Sequence, residues 1–472
     1  MPKEYDLVVL GGGIGGYSGA IKAAKAGLNV ALVERDLIGG TCLNRGCIPT
    51  KAYLKSAQAI REFKNISEFG IETNYDYKVD FLKIKQRKDK IVQSLRNGVS
   101  SLIKMNKIDY FEGEGSVLGT SIFTPKSGSV MIKPDGDADE IILTPKNVLI
   151  ATGSRPANLP NIKIDEKNIL TSNGILELEK LPKSISIIGG GVIGVEWASL
   201  LTWMGVKVTI VEFQDRLIIN ESKKVSAQLK KEFERQGIDM YLSTKVESVV
   251  SDDNGAKISA DNDGNEIEIE SEKVLVAVGR RPNIENIGLE AAGIEFDKRG
   301  IKVNEFYQTS AENIYAVGDV IPTLQLAHVA AAESEVAVDK MMKEDIPPID
   351  YDNIPRGIYT YPEIASVGIT DGTDGNQDQA NHGQFDFKFN GKSMIMGESI
   401  GQVEVFSNKK NDDLIGVSIV GPHATDLISE PALGLYLNAT PEELGEAVHP
   451  HPSLSEAIME AARDINGNSL NK

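Results

Sequence analysis

The sequence predicts an α/β protein that contains the same strand–turn–helix–strand unit twice. Two observations carry this: a glycine pattern repeated 178 residues apart, from Gly11 to Gly189, and the periodicity around each copy. The first copy is an apolar strand, Tyr5–Leu10, the turn Gly11-Gly12-Gly13-Ile14-Gly15-Gly16, a helical stretch to Gly27, and a second strand ending at Glu34. The second is Ile185–Ile188, Gly189-Gly190-Gly191-Val192-Ile193-Gly194, a helical stretch to Gly205, and a strand ending at Glu212. Gly11/Gly189, Gly13/Gly191, Gly16/Gly194 and Glu34/Glu212 fall in register.

Each glycine has a physical task. Gly11 and Gly189 permit the tight turn, and Gly13 and Gly191 let a pyrophosphate approach the backbone. Gly16 and Gly194 let the helix pack close to its strand. The helix N-terminus then offers free N–H groups and a favourable dipole to phosphate. A carboxylate ending the second strand accepts ribose hydroxyls, and Glu212 favours NAD over NADP because a 2′-phosphate would meet its charge. One such pattern is a weak signal; two in register predict two dinucleotide sites.

The only two cysteines, Cys42 and Cys47, lie five apart in Gly40-Thr41-Cys42-Leu43-Asn44-Arg45-Gly46-Cys47-Ile48-Pro49-Thr50-Lys51. In a regular helix such residues have Cα atoms about 8–9 Å apart, whereas a disulfide wants roughly 4.4–6.8 Å. A bridge therefore needs a distorted turn, which Gly46 and Pro49 are placed to supply. Strained, accessible disulfides are the labile ones. The bland alternatives are two unrelated thiols or half of a metal site. The latter lacks further ligands, since no other cysteine exists and the first histidine is His328; no metal is expected.

The chain has 472 residues, 41% of them hydrophobic, and a net charge of −18, which argues against a nucleic-acid partner. No apolar run is long enough to suggest a membrane span. No basic-plus-apolar leader precedes Tyr5, which makes the cytoplasm the default expectation. Apolar residues at helical spacing among many lysines predict one long exposed helix over 80–106. Ser127–Glu140 predicts a hairpin or loop, Asp371–Gly383 a surface connection, Pro347-Pro348 a junction, and Asn466–Lys472 a frayed end.

Two nucleotide sites and one thiol pair suggest an electron path, and here the chain resembles the pyridine nucleotide–disulfide oxidoreductases along nearly its whole length. The resemblance rests on the cysteine segment, both glycine turns, Ala151-Thr152-Gly153, Val278-Gly279-Arg280-Arg281-Pro282-Asn283, Ile314-Tyr315-Ala316-Val317-Gly318-Asp319 and His449-Pro450-His451-Pro452-Ser453-Leu454-Ser455-Glu456. It implies an α/β fold with two Rossmann-like dinucleotide-binding domains, for FAD and NAD, plus a C-terminal α+β dimerisation domain. The implied boundaries are 1–148 (FAD, first part), 149–275 (NAD), 276–347 (FAD/central) and 348–472 (dimerisation). The implied activity is oxidation of protein-borne dihydrolipoamide to lipoamide with reduction of NAD to NADH. A homodimer and a lipoyl-bearing carrier protein are the implied partners.

Carried over by that resemblance, Cys42 exchanges with the dithiol and Cys47 lies against the flavin. Lys51 sits near the flavin with Glu196 as its ion partner, although Lys51 alone reads equally as a surface amine. Asp319 resembles the acceptor for flavin ribitol hydroxyls, or a helix N-cap. Ala327 and Gly115 resemble backbone contacts to FAD, and Val246, Gly279 and the segment Ala277–Arg280 resemble NAD-side contacts. Of five histidines, the pattern selects His451 as base, with Glu456 orienting it. A rival reading makes Glu456 the far end of a capping box from Ser453. His449 reads as structural, and His451-Pro452 as a candidate cis bond. The base stands about 400 residues from the thiols, so by resemblance it serves the other subunit of a two-fold dimer. Glutathione-type reductases would want basic residues at Glu212, and mercuric or large thioredoxin reductases a further thiol pair. A nucleotide-binding redox sensor is the rival from outside the enzymes.

Overall fold

The computed structural model describes residues 3–72, 77–119, 128–134, 136, 138–370 and 380–472. Two compact units emerge, and the chain enters and leaves each more than once. The first holds 1–53, 80–157 and 280–349; the second holds 54–79, 158–279 and 350–472. The chain makes its last passage from the first to the second after Ile349, just beyond Pro347-Pro348.

In the first unit the strands Lys3–Leu10, Val30–Glu34 and Asp109–Glu112 run parallel, with Lys3–Leu10 also parallel to Ile141–Ile150. Ile314–Ala316 joins the far end of Ile141–Ile150, also parallel. Leu7, Val8, Val9 and Leu32 are fully buried, as expected of parallel strands covered on both faces. The covering helices are Ile14–Lys25 and Ala327–Met341, which pack together and are joined at the edge by Lys22 Nζ and Asp339 at 2.6 Å. Val130–Lys133 extends the sheet antiparallel between Glu114–Val117 and Ile141–Ile150. Part of the Ser127–Glu140 stretch is therefore a sheet strand; residues 127, 135 and 137 lie outside the described residues.

The long helix is Phe81–Met105, with Asp80 as N-cap accepting the Lys83 N–H at 3.1 Å. It is not exposed throughout. Lys88 is buried over the Tyr53 ring and paired with Asp89 at 2.6 Å, so its stem packs while its charge is met locally.

The second unit repeats the parallel core with Ser184–Ile188 between Lys207–Val211 and Lys273–Val276. Beside it stands an antiparallel three-stranded sheet, Thr244–Asp252, Gly255–Asn262 and Asn265–Ser271. The C-terminal part is a five-stranded antiparallel sheet from Arg356–Ile358 to Leu414–Gly421, with Ala380–Asp386 at one edge. The helix Glu456–Asp464 lays Ala457, Ile458, Ala461 and Ala462 against Phe385, Val403, Val405 and Val417. Of the stretch Asp371–Gly383, residues 380–383 are thus strand rather than connection, and 371–379 lie outside the described residues.

The C-terminus is tied down, not frayed. Glu460 is buried, and it accepts from Ser469 Oγ at 2.6 Å, Leu470 N–H at 2.8 Å, Asn471 N–H at 3.1 Å and Asn471 Nδ2 at 3.0 Å. A buried carboxylate demands donors, and the polar tail supplies them; no periodicity in the tail announces this. No described helix is long and apolar enough to cross a membrane.

Candidate active site

The two glycine turns have matching geometry. A Cβ on Gly11 would stand 2.2 Å from Ala151 O, and one on Gly189 2.4 Å from Ala277 O; both residues have positive φ. A Cβ on Gly16 would meet Gly11 O at 1.8 Å, and one on Gly194 would meet Gly189 O at 1.9 Å. The middle glycines differ. Gly191 has nothing within 4 Å of that position, and Gly13 only Gly40 Cα at 3.7 Å. Turn and packing glycines are thus enclosed by protein, while Gly13 and Gly191 face open space that a phosphate group could approach.

Glu34 ends its strand and accepts the Gly12 N–H at 2.6 Å and the Asp36 N–H at 2.8 Å. Glu212, just past Val211, accepts the Gly190 N–H and, at 2.7 Å, the Gln214 N–H. Each carboxylate therefore closes its glycine turn and has about two lone-pair positions beyond those bonds. Gly115, on Glu114–Val117, abuts Leu10: an added Cβ would lie 2.7 Å from Leu10 Cδ2. Gly279 has φ +107° and open space before it, and Val246 lies on the strand Thr244–Asp252 at a register shift.

The cysteine segment is two helices, Gly40–Arg45 and Cys47–Lys64, broken at Gly46. Gly46 supplies the distortion and its carbonyl accepts the Thr50 N–H at 3.1 Å. Pro49 does not act as a breaker: it sits in the first turn of the second helix, where a missing N–H costs nothing. Both cysteines are free thiols, Cys42 partly buried and Cys47 exposed. They are hydrogen-bonded neighbours. The hydrogen bond of the Cys42 thiol to Cys47, then burial, push it well above its ordinary range, against the Cys47 backbone and the Lys51 ammonium, which pull it down. Lys51 stands one turn into the helix from Cys47. Tyr17, on the helix after the first glycine turn, has its phenol pushed up by burial and by Cys42.

Asp319 lies in the short turn Gly318–Val320 and caps no helix through its side chain; it accepts the Ser154 hydroxyl and faces Arg280 Nε at 3.6 Å. Arg280 also donates to Ser154 Oγ at 2.7 Å, Ser154 O at 2.8 Å and Thr41 Oγ1 at 3.4 Å. The strand Arg280–Pro282 pairs antiparallel with Ser154–Pro156 and draws the guanidinium to Asp319 and Thr41. Behind the turn, Glu333 is fully buried and accepts the Gly318 N–H and the Thr323 hydroxyl, each at 2.7 Å. Ala327 opens the helix that carries Glu333.

Sequence reasoning passed over Glu333, Ser154, Tyr17 and Asn44. Tyr17 had a signal, one turn beyond Gly13, whereas Glu333 looks like any helical glutamate. In the second unit, Glu196 is buried on the helix Val192–Trp203 and accepts the Tyr359 N–H at 3.0 Å.

His451 is 79% exposed at its side chain, and the His451-Pro452 bond is cis. Its Nδ1 meets Glu456 Oε1 at 2.9 Å, while Glu456 Oε2 accepts the Ser453 N–H at 2.9 Å. Each oxygen has its own partner, the imidazole and the Ser453 N–H, but the capping box is not formed: the helix starts at Glu456 with Ser455 at its N-cap, and no side chain caps it. Burial works to raise the Glu456 carboxyl, but the Ser453 N–H and His451 win and hold it below its ordinary range. With Nδ1 facing the carboxylate, Nε2 is left as the basic nitrogen. His449 has both ring nitrogens engaged, by Ala447 O and Glu430 Oε1, each at 2.7 Å, which suits a structural residue.

The chain is similar to known proteins over nearly its whole length. The family described as pyridine nucleotide-disulphide oxidoreductase matches residues 5–334, and the dimerisation domain of that family matches residues 354–462. Dihydrolipoyl dehydrogenase of Bacillus subtilis (strain 168) is 44% identical over 473 residues, covering 100% of both chains. That of Cupriavidus necator is 37% identical over 489 residues, again covering 100% of both. Among solved structures, LpdA of Mycobacterium tuberculosis has a TM-score of 0.90 at 26% identity, covering 98% of this chain and 99% of that one. The HOCl-induced flavoprotein disulfide reductase RclA of Escherichia coli, as a Cu(II) complex, has a TM-score of 0.86 at 26% identity, covering 98% and 99%. The cofactors are FAD and NAD. With its paired thiols beside the first cradle and a matched dimerisation domain at its C-terminal end, the chain belongs to the pyridine nucleotide-disulphide oxidoreductase family.

Proposed function

We propose that this chain is a dihydrolipoyl dehydrogenase, which oxidises dihydrolipoamide on a carrier protein and reduces NAD to NADH. The observation that carries the reading is the Cys42–Cys47 pair, two hydrogen-bonded thiols at a glycine break, one helix away from the first nucleotide turn. Residues 1–148 and 276–347 are assigned to FAD, 149–275 to NAD and 348–472 to the contact between two copies.

Gly11, Gly13, Gly16, Glu34, Gly115, Asp319 and Ala327 would hold FAD, with Lys51 and its assigned partner Glu196 beside the ring. Gly189, Gly191, Gly194, Glu212, Val246 and Gly279 would hold NAD. Bound FAD supplies the two-electron relay between the thiol pair and the nicotinamide. The remaining chemistry belongs to side chains. In the oxidised enzyme Cys42 and Cys47 share a disulfide. The partner subunit's His451 takes a proton from one substrate thiol, and the thiolate attacks Cys42 Sγ, breaking the bond to Cys47. The second substrate thiol then displaces Cys42, closing lipoamide and leaving two protein thiols. Their two electrons and one proton leave as the hydride of NADH, the other proton goes to solvent, and the disulfide reforms. His451 depends on Glu456 for its orientation, so two copies make two complete sites. A cytoplasmic enzyme serving a soluble lipoyl carrier suits this assignment.

The direct test is dihydrolipoamide-dependent NADH formation by the FAD-loaded dimer. The reading expects turnover in the ordinary enzymatic range, about 1–10³ per second. Binding of both nucleotides without turnover would instead make the chain a redox sensor.

A narrower test uses the open space at Gly191. Its φ is −76°, which alanine tolerates, and no protein atom lies within 4 Å of the added Cβ. Gly191→Ala should therefore fold and retain FAD while its NAD affinity falls about tenfold or more, read by titration calorimetry. Unchanged NAD affinity would remove Gly191 from the pyrophosphate site.

A further inference from the structure

Cys42 rides on a helix of six residues, Gly40–Arg45, too short to hold its own shape in water. Something must fix it, and the side chain two residues on does so. The Asn44 amide reaches three carbonyls at once: Leu37 O at 3.3 Å, Ile38 O at 3.1 Å and Gly40 O at 3.0 Å. Arg96, from the helix Phe81–Met105, donates to Asn44 Oδ1 at 3.5 Å and braces the amide from the other side. The next residue, Arg45, is ion-paired to Asp36.

The loop that Asn44 grips is itself fastened to the nucleotide turn. The Gly39 N–H donates to Gly12 O at 2.8 Å, and the Asp36 N–H donates to Glu34. Gly40 passes so near Gly13 that a Cβ on it would lie 2.5 Å from Gly13 Cα. Glu34, Gly12–Gly13, the loop Leu37–Gly40 and the cysteine helix form one hydrogen-bonded series, and Asn44 is its final link to the sulfur.

We propose that Asn44 is a positioning residue for Cys42: its amide fastens the cysteine helix to the nucleotide-turn loop and so sets where Cys42 Sγ stands relative to Cys47. This deepens the function proposed above and rests on Cys42 as the exchanging thiol. Without the amide, the helix keeps its backbone contacts at Gly39 and Gly40 but gains freedom at its C-terminal end. The thiol–thiol contact then weakens, and with it the influence that disfavours the Cys42 thiolate.

The experiment compares wild type, Asn44→Ala and Asn44→Gln as FAD-loaded enzyme reduced with dithiothreitol. Iodoacetamide alkylates each thiolate with loss of iodide, and peptide mass spectrometry reads the rate at Cys42 and Cys47 separately across pH. Asn44→Ala should move the Cys42 profile down by about one pH unit and lower kcat for dihydrolipoamide about tenfold, with KM for NAD and FAD content unchanged. Asn44→Gln, which keeps both N–H donors, should restore part of the profile even if the alanine variant is poorly folded. Wild-type profiles in both variants would overturn the proposal. So would loss of FAD in step with the thiol shift, which would make Asn44 a general support of the fold. The alkylation profile needs no lipoyl substrate, so it stands or falls separately from the assigned activity.

Discussion

Cys47→Ser is expected to abolish dihydrolipoamide-dependent NADH formation, by at least about 10³-fold, while the protein keeps its FAD. Serine fits the first turn of the helix Cys47–Lys64 and leaves the hydrogen bond from the Thr50 N–H to Gly46 O untouched. What it cannot do is form or break a sulfur–sulfur bond, so Cys42 has no partner through which to return its electrons. In the variant Cys42 should still attack a disulfide reagent, releasing one of its thiols, but the resulting mixed disulfide would not resolve internally. Flavin absorbance and single-turnover assays check both halves. Wild-type turnover would refute the exchange mechanism outright.

His451→Ala should reduce turnover about 10²- to 10⁴-fold, the usual worth of a positioned acid–base group. The side chain is largely exposed and its ring bonds only Glu456 among the described residues, so the loss should fall on kcat with little change in thermal stability. Glu456→Gln makes a sharper comparison. The carboxylate accepts from His451 with one oxygen and from the Ser453 N–H with the other. An amide has one oxygen and cannot serve both, so either the imidazole or the helix entrance loses its acceptor. A loss of about tenfold in turnover is expected, short of the alanine variant. Because its folded pKa is depressed, ionised Glu456 adds stability above its unfolded value of about 4.3, and that contribution is lost as pH falls through the folded value. Between pH 5 and 8 Glu456 remains ionised.

Much of this was legible in sequence because it depends on spacing. Glycines at fixed offsets, a carboxylate at a strand end and two cysteines around a glycine are local facts, and the fold preserves them. The helix Phe81–Met105 was legible for the same reason, since its period is continuous. What stayed hidden depends on pairing between distant segments. The contacts of Arg280 with Ser154, Asp319 and Thr41 arise only when its strand pairs with Ser154–Pro156. Glu333 is one glutamate among many on a helix, and only burial beneath Gly318 sets it apart. The tail 466–472 lacks any apolar signal, yet Glu460 recruits it through polar donors that periodicity does not weigh. Glu456 presented two readings in sequence, and the motif for a capping box failed because the helix begins two residues later than the box requires, at Glu456 itself.

The carboxylates of Glu34 and Glu212 carry a constraint on how such an enzyme could change coenzymes. Each one clasps two main-chain amides of its own loop as well as facing outward. Installing a cation at residue 212 to welcome a phosphorylated ribose would leave those amides without an acceptor and slacken the bend they close. Under the assignment of Glu212 to the NAD ribose proposed above, shifting nucleotide preference would demand a remodelled loop rather than a single exchange.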